Sequence, residues 1–115
     1  MPNFKNKAAF VTGAGCGIGY EICRQFASAG AQVALNSRRQ QNTEEAAQRI
    51  NSELNSNAVS AYPGDLSETK ILAAAIEDFS RRNNGLDIFV ANAGITIFSH
   101  FLDVNEDEFD HLMAV

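Results

Sequence analysis

The chain has 115 residues, 45% hydrophobic and 20% charged, the balance of an ordinary globular sequence of about one domain. Its formal net charge of −5, with no basic run longer than the pairs Arg38-Arg39 and Arg81-Arg82, argues against a nucleic-acid partner. No run has the length of a membrane span and no apolar h-region of signal-peptide length follows Lys5 and Lys7, so neither membrane insertion nor a secretory leader is expected. Cys16 and Cys23 form no disulfide framework and no zinc-ligand pattern, which suits a reducing cytoplasm.

In chain order, the first element is a short apolar strand over 7–12, centred on Ala8-Ala9-Phe10-Val11. It runs into Thr12-Gly13-Ala14-Gly15-Cys16-Gly17-Ile18-Gly19 and then into an amphipathic helix from Ile18 to Ser28, with Ile22, Phe26 and Ala29 at helical spacing. A glycine-rich turn between strand and helix lets backbone N–H groups approach a pyrophosphate while the helix N-terminus adds its positive dipole end. A bare glycine pattern is weak evidence, but this one lies in the strand–turn–helix context that the mechanism requires. Gly13, Gly15, Gly17 and Gly19, with Cys16 and Ile18 between them, are therefore candidate nucleotide-binding residues. Cys16 has two readings, a thiol activated by the helix dipole or a small residue filling a tight loop, and the second is the better supported.

A second strand is expected over 32–36, followed by Asn36-Ser37-Arg38-Arg39 and a helix from Thr43 to Leu54 opened by Asn42 or Thr43. An NAD-preferring site usually offers a carboxylate to the adenosine ribose at the end of the second strand. Here Ser37 and Arg38 stand in that place, and Arg38 suits a 2′-phosphate through charge-assisted hydrogen bonds, which points to NADP(H) over NAD(H). The plain alternative is that Arg38 and Arg39 are solvated loop charges.

The third strand, over 58–62, leads to Pro63-Gly64-Asp65-Leu66 and a helix from Ser67 to Asn83, with Ser67 as its N-cap and Ile71, Leu72, Ala75, Ile76 and Phe79 on one face. Asp65 suits a hydrogen bond from the adenine amine with Leu66 near the ring, and equally suits a role in capping that helix. The fourth strand, over 87–91, ends in Asn92-Ala93-Gly94, where small residues let the backbone close to a ribose and the Asn amide can bridge strand ends. Strands alternating with helices predict an α/β, doubly wound parallel sheet, with ligand at the carboxyl ends of the strands.

These residues together resemble the classical short-chain dehydrogenase/reductase (SDR) family. Thr12-Gly13-Ala14-Gly15-Cys16-Gly17-Ile18-Gly19 matches its TGxxxGxG, Asp65 its adenine-contacting acid, and Ala91-Asn92-Ala93-Gly94 its NNAG, with Ala91 departing from the first Asn. The resemblance implies a Rossmann-like sheet ordered 3-2-1-4. It also implies hydride transfer between a nicotinamide and the carbonyl or secondary alcohol of a small-molecule substrate, and a homodimer or homotetramer. Its overall character is similar to 3-oxoacyl-[acyl-carrier-protein] reductases and sugar or polyol dehydrogenases. The family's catalytic Ser and Tyr-x-x-x-Lys are not found here: Tyr20 is followed four residues later by Arg24, and Tyr62 by Leu66. Residues 1–115 are thus expected to be the N-terminal, cofactor-binding part of a single domain, with the catalytic residues beyond Val115 and this segment inactive alone. A non-catalytic NADP-binding or redox-sensing module is the alternative; a Rossmann-like methyltransferase fits less well, since it would want an acid at Ser37.

His100 and His111 flank Asp103, Glu106, Asp107, Glu108 and Asp110, but acids at the start of a helix near Glu106, capped by Asn105, account for this cluster better than a metal does. The fourth strand, with Ile88, Phe89 and Val90, is expected to form an apolar edge of the four-stranded unit.

Overall fold

The computed structural model of the protein describes residues 3–66 and 68–92. Among them run β1 (Ala8–Val11), α1 (Gly17–Ser28), β2 (Gln32–Ser37), α2 (Gln40–Leu54), β3 (Val59–Pro63), α3 (Thr69–Arg82) and β4 (Ile88–Val90). The strands form one parallel sheet in the order β3-β2-β1-β4, as expected for a doubly wound fold.

Alternation along the two inner strands assigns side chains to opposite layers. Val11, Val33 and Leu35 pack with Cys23 and Ala27 of α1 and Ala46, Ala47 and Ile50 of α2. Ala8, Phe10 and Ala34 face the other way, onto Leu72, Ala73, Ile76 and Phe79 of α3. Because both faces are covered, β1 is buried at all four positions, and its run of consecutive apolar residues follows from that. Phe10 is the hub of the α3 layer: its ring meets those of Tyr62, Phe79 and Phe89 at centroid distances of 5.6, 5.9 and 5.7 Å.

β4 is the edge strand beside β1, and Ile88, Phe89 and Val90 are only half-buried, as the sequence pattern implies for an apolar edge. It is fastened at its start, where the Asp87 carboxylate accepts the Ala8 N–H at 2.8 Å and the Asp87 N–H donates to the Ala8 carbonyl at 2.9 Å.

Two helix starts differ from expectation. α2 begins at Gln40 with Arg39 as an extended N-cap, so Asn42 and Thr43 lie inside it. The Thr43 hydroxyl, which favoured a cap assignment, instead bonds back to the Arg39 carbonyl at 2.6 Å, the alternative open to Ser and Thr within a helix. α3 begins at Thr69 with Glu68 at its N-cap, while the expected cap Ser67 lies outside the described residues. Also outside them are Ala93, Gly94, both histidines, the acidic cluster and the helix expected near Glu106. No described helix is long and apolar enough to cross a membrane, and no group of His, Cys, Asp or Glu among the described residues is placed to hold a metal.

Candidate functional site: a cleft at the carboxyl ends of the strands

The ends of β1, β2 and β3 converge on one side chain. Asn36, at the end of β2 and 3% exposed, accepts the Gly13 N–H through Oδ1 at 3.2 Å. Its Nδ2 donates to the carbonyls of Tyr62 at 2.8 Å and Gly64 at 3.2 Å, and its own carbonyl accepts the Ala14 N–H at 2.6 Å. One buried amide thereby ties the turn after β1 to the turn after β3. The sequence carried a signal for this, a single amide ending the apolar run Val33-Ala34-Leu35, since a polar group buried there must find partners. Its partners are more than twenty residues away in both directions, so their identity could not be read locally.

Asn92 does the corresponding work at the end of β4. Its Nδ2 donates to the Gly13 carbonyl at 3.0 Å, the strand-bridging role expected of an amide there, while the Thr12 N–H donates to the Val90 carbonyl at 3.0 Å. Gly13 is therefore gripped from both sides, at its N–H by Asn36 and at its carbonyl by Asn92.

The glycines of the turn do different jobs. A Cβ on Gly19 would lie 2.6 Å from the Gly13 carbonyl oxygen, 2.7 Å from Asn92 Nδ2 and 2.9 Å from Ala14 Cα, so this glycine lets α1 close on the turn. At Gly15 the same atom would meet the Ser37 side chain at 3.0 Å, and the missing side chain makes room for the end of β2. Gly17 faces open space, at a φ of +65° that favours glycine, and it is exposed.

α1 starts at Gly17 with Cys16 as an extended N-cap that makes no side-chain capping bond, and its first turn has no acidic residue. The first-turn N–H groups, which lack intrahelical acceptors, form an electropositive end beside the turn. Cys16 is exposed and so is Ile18, at 75%. Cys23, further along α1, is buried among apolar neighbours that push its thiol up to about 12.

A cleft of about 780 Å³ opens over these strand ends. It brings Gly13, Gly15 and Cys16 together with Ser37, Arg38, Asp65 and Leu66, residues drawn from the turns after three different strands. Gly17, Ile18, Gly19 and Asn92 belong to the same turn region but do not line this cavity. Leu66 is buried at 5% exposure and joins the α3 layer, so it meets the cleft as part of a packed floor. Arg38 is 82% exposed and its guanidinium lies 3.5 Å from the Asp65 carboxylate. An exposed pair of this kind contributes about 0–1 kcal/mol, so Arg38 can leave Asp65 for a stronger anion at little cost.

The far wall comes from α2, through Asn42, Glu45, Ala46 and Arg49, none of which stood out as site residues in the sequence. Arg49 sits over the Tyr20 ring of α1 with its guanidinium carbon 5.8 Å from the centroid. Arg38, Arg39 and Arg49 against Glu45 and Asp65 make the cleft lining net positive in a chain whose formal charge is −5. An anionic ligand is what such a lining attracts.

Comparison with known proteins agrees with this geometry. The family model described as short chain dehydrogenase matches residues 7–115. The chain belongs to the short-chain dehydrogenase family. Among curated relatives, this SDR chain is 40% identical over 115 residues to versicolorin reductase stcU of Emericella nidulans, covering 95% of this chain and 41% of that protein. Among solved structures it is similar to a hydroxysteroid dehydrogenase from Escherichia coli, with a TM-score of 0.78 at 25% identity over 92% of this chain and 53% of that one. It is also similar to a metagenomic short-chain oxidoreductase in complex with NADP, with a TM-score of 0.72 at 29% identity over 80% of this chain and 41% of that one. The chain spans about two fifths of the length of the curated relatives it matches. Those relatives are oxidoreductases, and the family, the sheet order and the Rossmann-like architecture expected from the motifs all hold.

Proposed function

We propose that this SDR chain holds NADP(H) for an oxidoreductase that moves hydride between the nicotinamide and a carbonyl or secondary alcohol of a small molecule. The observation that carries the reading is the rim Ser37-Arg38-Arg39 on a cleft that the glycine turn also lines, with no carboxylate at the end of β2. The NADP complex of a structural neighbour supports it.

The residues present fit such a dinucleotide in three places. Backbone N–H groups at Gly17 and the first turn of α1 suit the pyrophosphate, because they are unsatisfied within the helix and no acidic side chain competes for them. Ser37 and Arg38 suit the 2′-phosphate, one as a hydroxyl donor and the other as a guanidinium fork. Asp65 and Leu66 suit the adenine end of the cleft, as an acceptor for its amine and an apolar floor. When bound, the cofactor supplies the hydride chemistry, and this part of the protein contributes binding and orientation. Asn92, with Ala93 and Gly94 after it, belongs to the ribose side by this reading. The family's catalytic Ser and Tyr-x-x-x-Lys lie beyond residue 115 in the same reading.

The test is direct binding of NADPH and NADH to the full-length protein, followed by the pair Ser37→Asp with Arg38→Ala. NADPH should bind more tightly than NADH in the wild type, and the pair should reverse that order. An unchanged ratio in the variant would sink the phosphate assignment.

A further inference from the structure

A residue one turn into α2 bonds to the rim on which that assignment rests. Thr43 is wholly buried, yet its hydroxyl meets three oxygen atoms of the Ser37–Arg39 loop. It donates to the Arg39 carbonyl at 2.6 Å, lies 3.2 Å from the Ser37 carbonyl, and makes a hydrogen bond with the Ser37 hydroxyl in which either can be the donor. Two of these three acceptors have a second donor: the Thr43 N–H reaches the Arg39 carbonyl at 3.0 Å, and the Gly64 N–H reaches the Ser37 carbonyl at 3.0 Å. The Thr43 proton is therefore free to turn to Ser37 Oγ without leaving a buried carbonyl bare.

We propose that Thr43 is a positioning residue for cofactor selection, holding Ser37 Oγ at the cleft and donating to it, so that the Ser37 proton is released toward a 2′-phosphate. This rests on the NADP(H) reading above and names a residue that the reading did not contain. A phosphate is an acceptor only, so Ser37 must spend its single proton on it; a hydroxyl that also has to satisfy a neighbouring oxygen cannot do so. With Thr43 as donor the conflict vanishes, and the Ser37 hydroxyl is polarised in the direction that strengthens its own donation. An unphosphorylated ribose hydroxyl brings a proton of its own and makes no such demand. Gly15 completes the arrangement from the other side, since a Cβ there would press on Ser37 Cβ at 3.0 Å and Oγ at 3.1 Å.

The experiment measures NADPH and NADH dissociation constants by cofactor fluorescence on the full-length protein, for wild type, Thr43→Val, Thr43→Ala and Thr43→Ser. Thr43→Val keeps shape and removes the hydroxyl; NADPH affinity should fall about tenfold while NADH affinity stays within about twofold. Thr43→Ser should recover most of the loss, and in a Ser37→Ala background Thr43→Val should cost little more. Equal weakening of both cofactors, or none, in Thr43→Val would overturn the proposal by reducing Thr43 to a packing residue. Thr43→Ala reads the same ratio should valine fail to fold. A wild type without any preference for NADPH would remove the underlying NADP(H) reading first, before any variant is compared.

Discussion

The two walls of the cleft are built in opposite ways. On the glycine-turn side, contacts are backbone and buried amide: Gly13 is held by Asn36 and Asn92, and Gly19 leaves no room for a side chain. On the Ser37–Arg39 side, side chains do the contacting, with Arg38 82% exposed and Asn36 and Thr43 buried beneath them. The part that would meet what every dinucleotide shares is therefore rigid and coupled to the fold. The part that would distinguish one dinucleotide from another is carried by side chains, with Ser37 held from beneath by Thr43 and Arg38 free to change without disturbing the core.

The sharpest way to break this contrast is at Gly19. Gly19→Ala forces a Cβ against backbone atoms that cannot step aside, and it should cost about 3 kcal/mol or more in denaturant unfolding and abolish NADPH and NADH binding alike. Asn36→Ala comes next. It strips partners from the Gly13 N–H and the Tyr62 and Gly64 carbonyls, and should cost about 2 kcal/mol with both cofactors weakened. Retention of wild-type stability in Asn36→Ala would show that the two turns are not joined through this amide.

Arg38→Ala should do the reverse on the other wall. Stability should stay within about 0.5 kcal/mol of wild type, as for an exposed side chain in a weak ion pair, while NADPH affinity falls about tenfold and NADH affinity hardly moves. A variant that unfolds more easily would place Arg38 among the structural residues and erase the contrast between the walls.

The smallest effect is expected at Tyr62, behind the second wall. Its hydroxyl donates to Asp78 at 2.7 Å and accepts from Arg82 at 3.0 Å. Burial first, and the bond to Asp78 second, push this phenol up from 10.0 to about 12. Because the folded state holds the proton more tightly than the unfolded one, this contribution is intact below pH 10 and is lost as pH rises through about 12. Tyr62→Phe should be slightly less stable than wild type at neutral pH, with the difference closing over that alkaline window in a series of thermal melts. A difference that stays constant with pH would mean that the hydroxyl network contributes nothing through ionisation.

Local pattern was a good guide to the frame. The strands expected over 7–12, 32–36, 58–62 and 87–91 all form, each within a residue or two, because a parallel sheet covered on both faces needs short unbroken apolar runs and the chain offers them. The start of α2 was misread for a physical reason: Asn42 and Thr43 are good capping residues in isolation, but the Thr43 hydroxyl has better partners in the loop before the helix. Of the expected site residues, Gly13, Gly15, Cys16, Ser37, Arg38, Asp65 and Leu66 line one cleft, while Ala93 and Gly94 lie outside the described residues. The partners of Asn36 and Thr43, and the α2 wall, were not legible, since nothing in a single buried amide or hydroxyl says which distant carbonyl it will meet.

The amino-acid sequence by itself determined the alternation of strand and helix, the place of the glycine turn and the family to which the chain belongs, because these depend on residue type and spacing along the chain. Only the tertiary structure decided which glycine is needed for packing and which faces open space, and which amide joins the strand ends. It also decided which hydroxyl stands behind Ser37. Those are contacts between residues far apart in the chain, and they exist only once the sheet has brought the strand ends together.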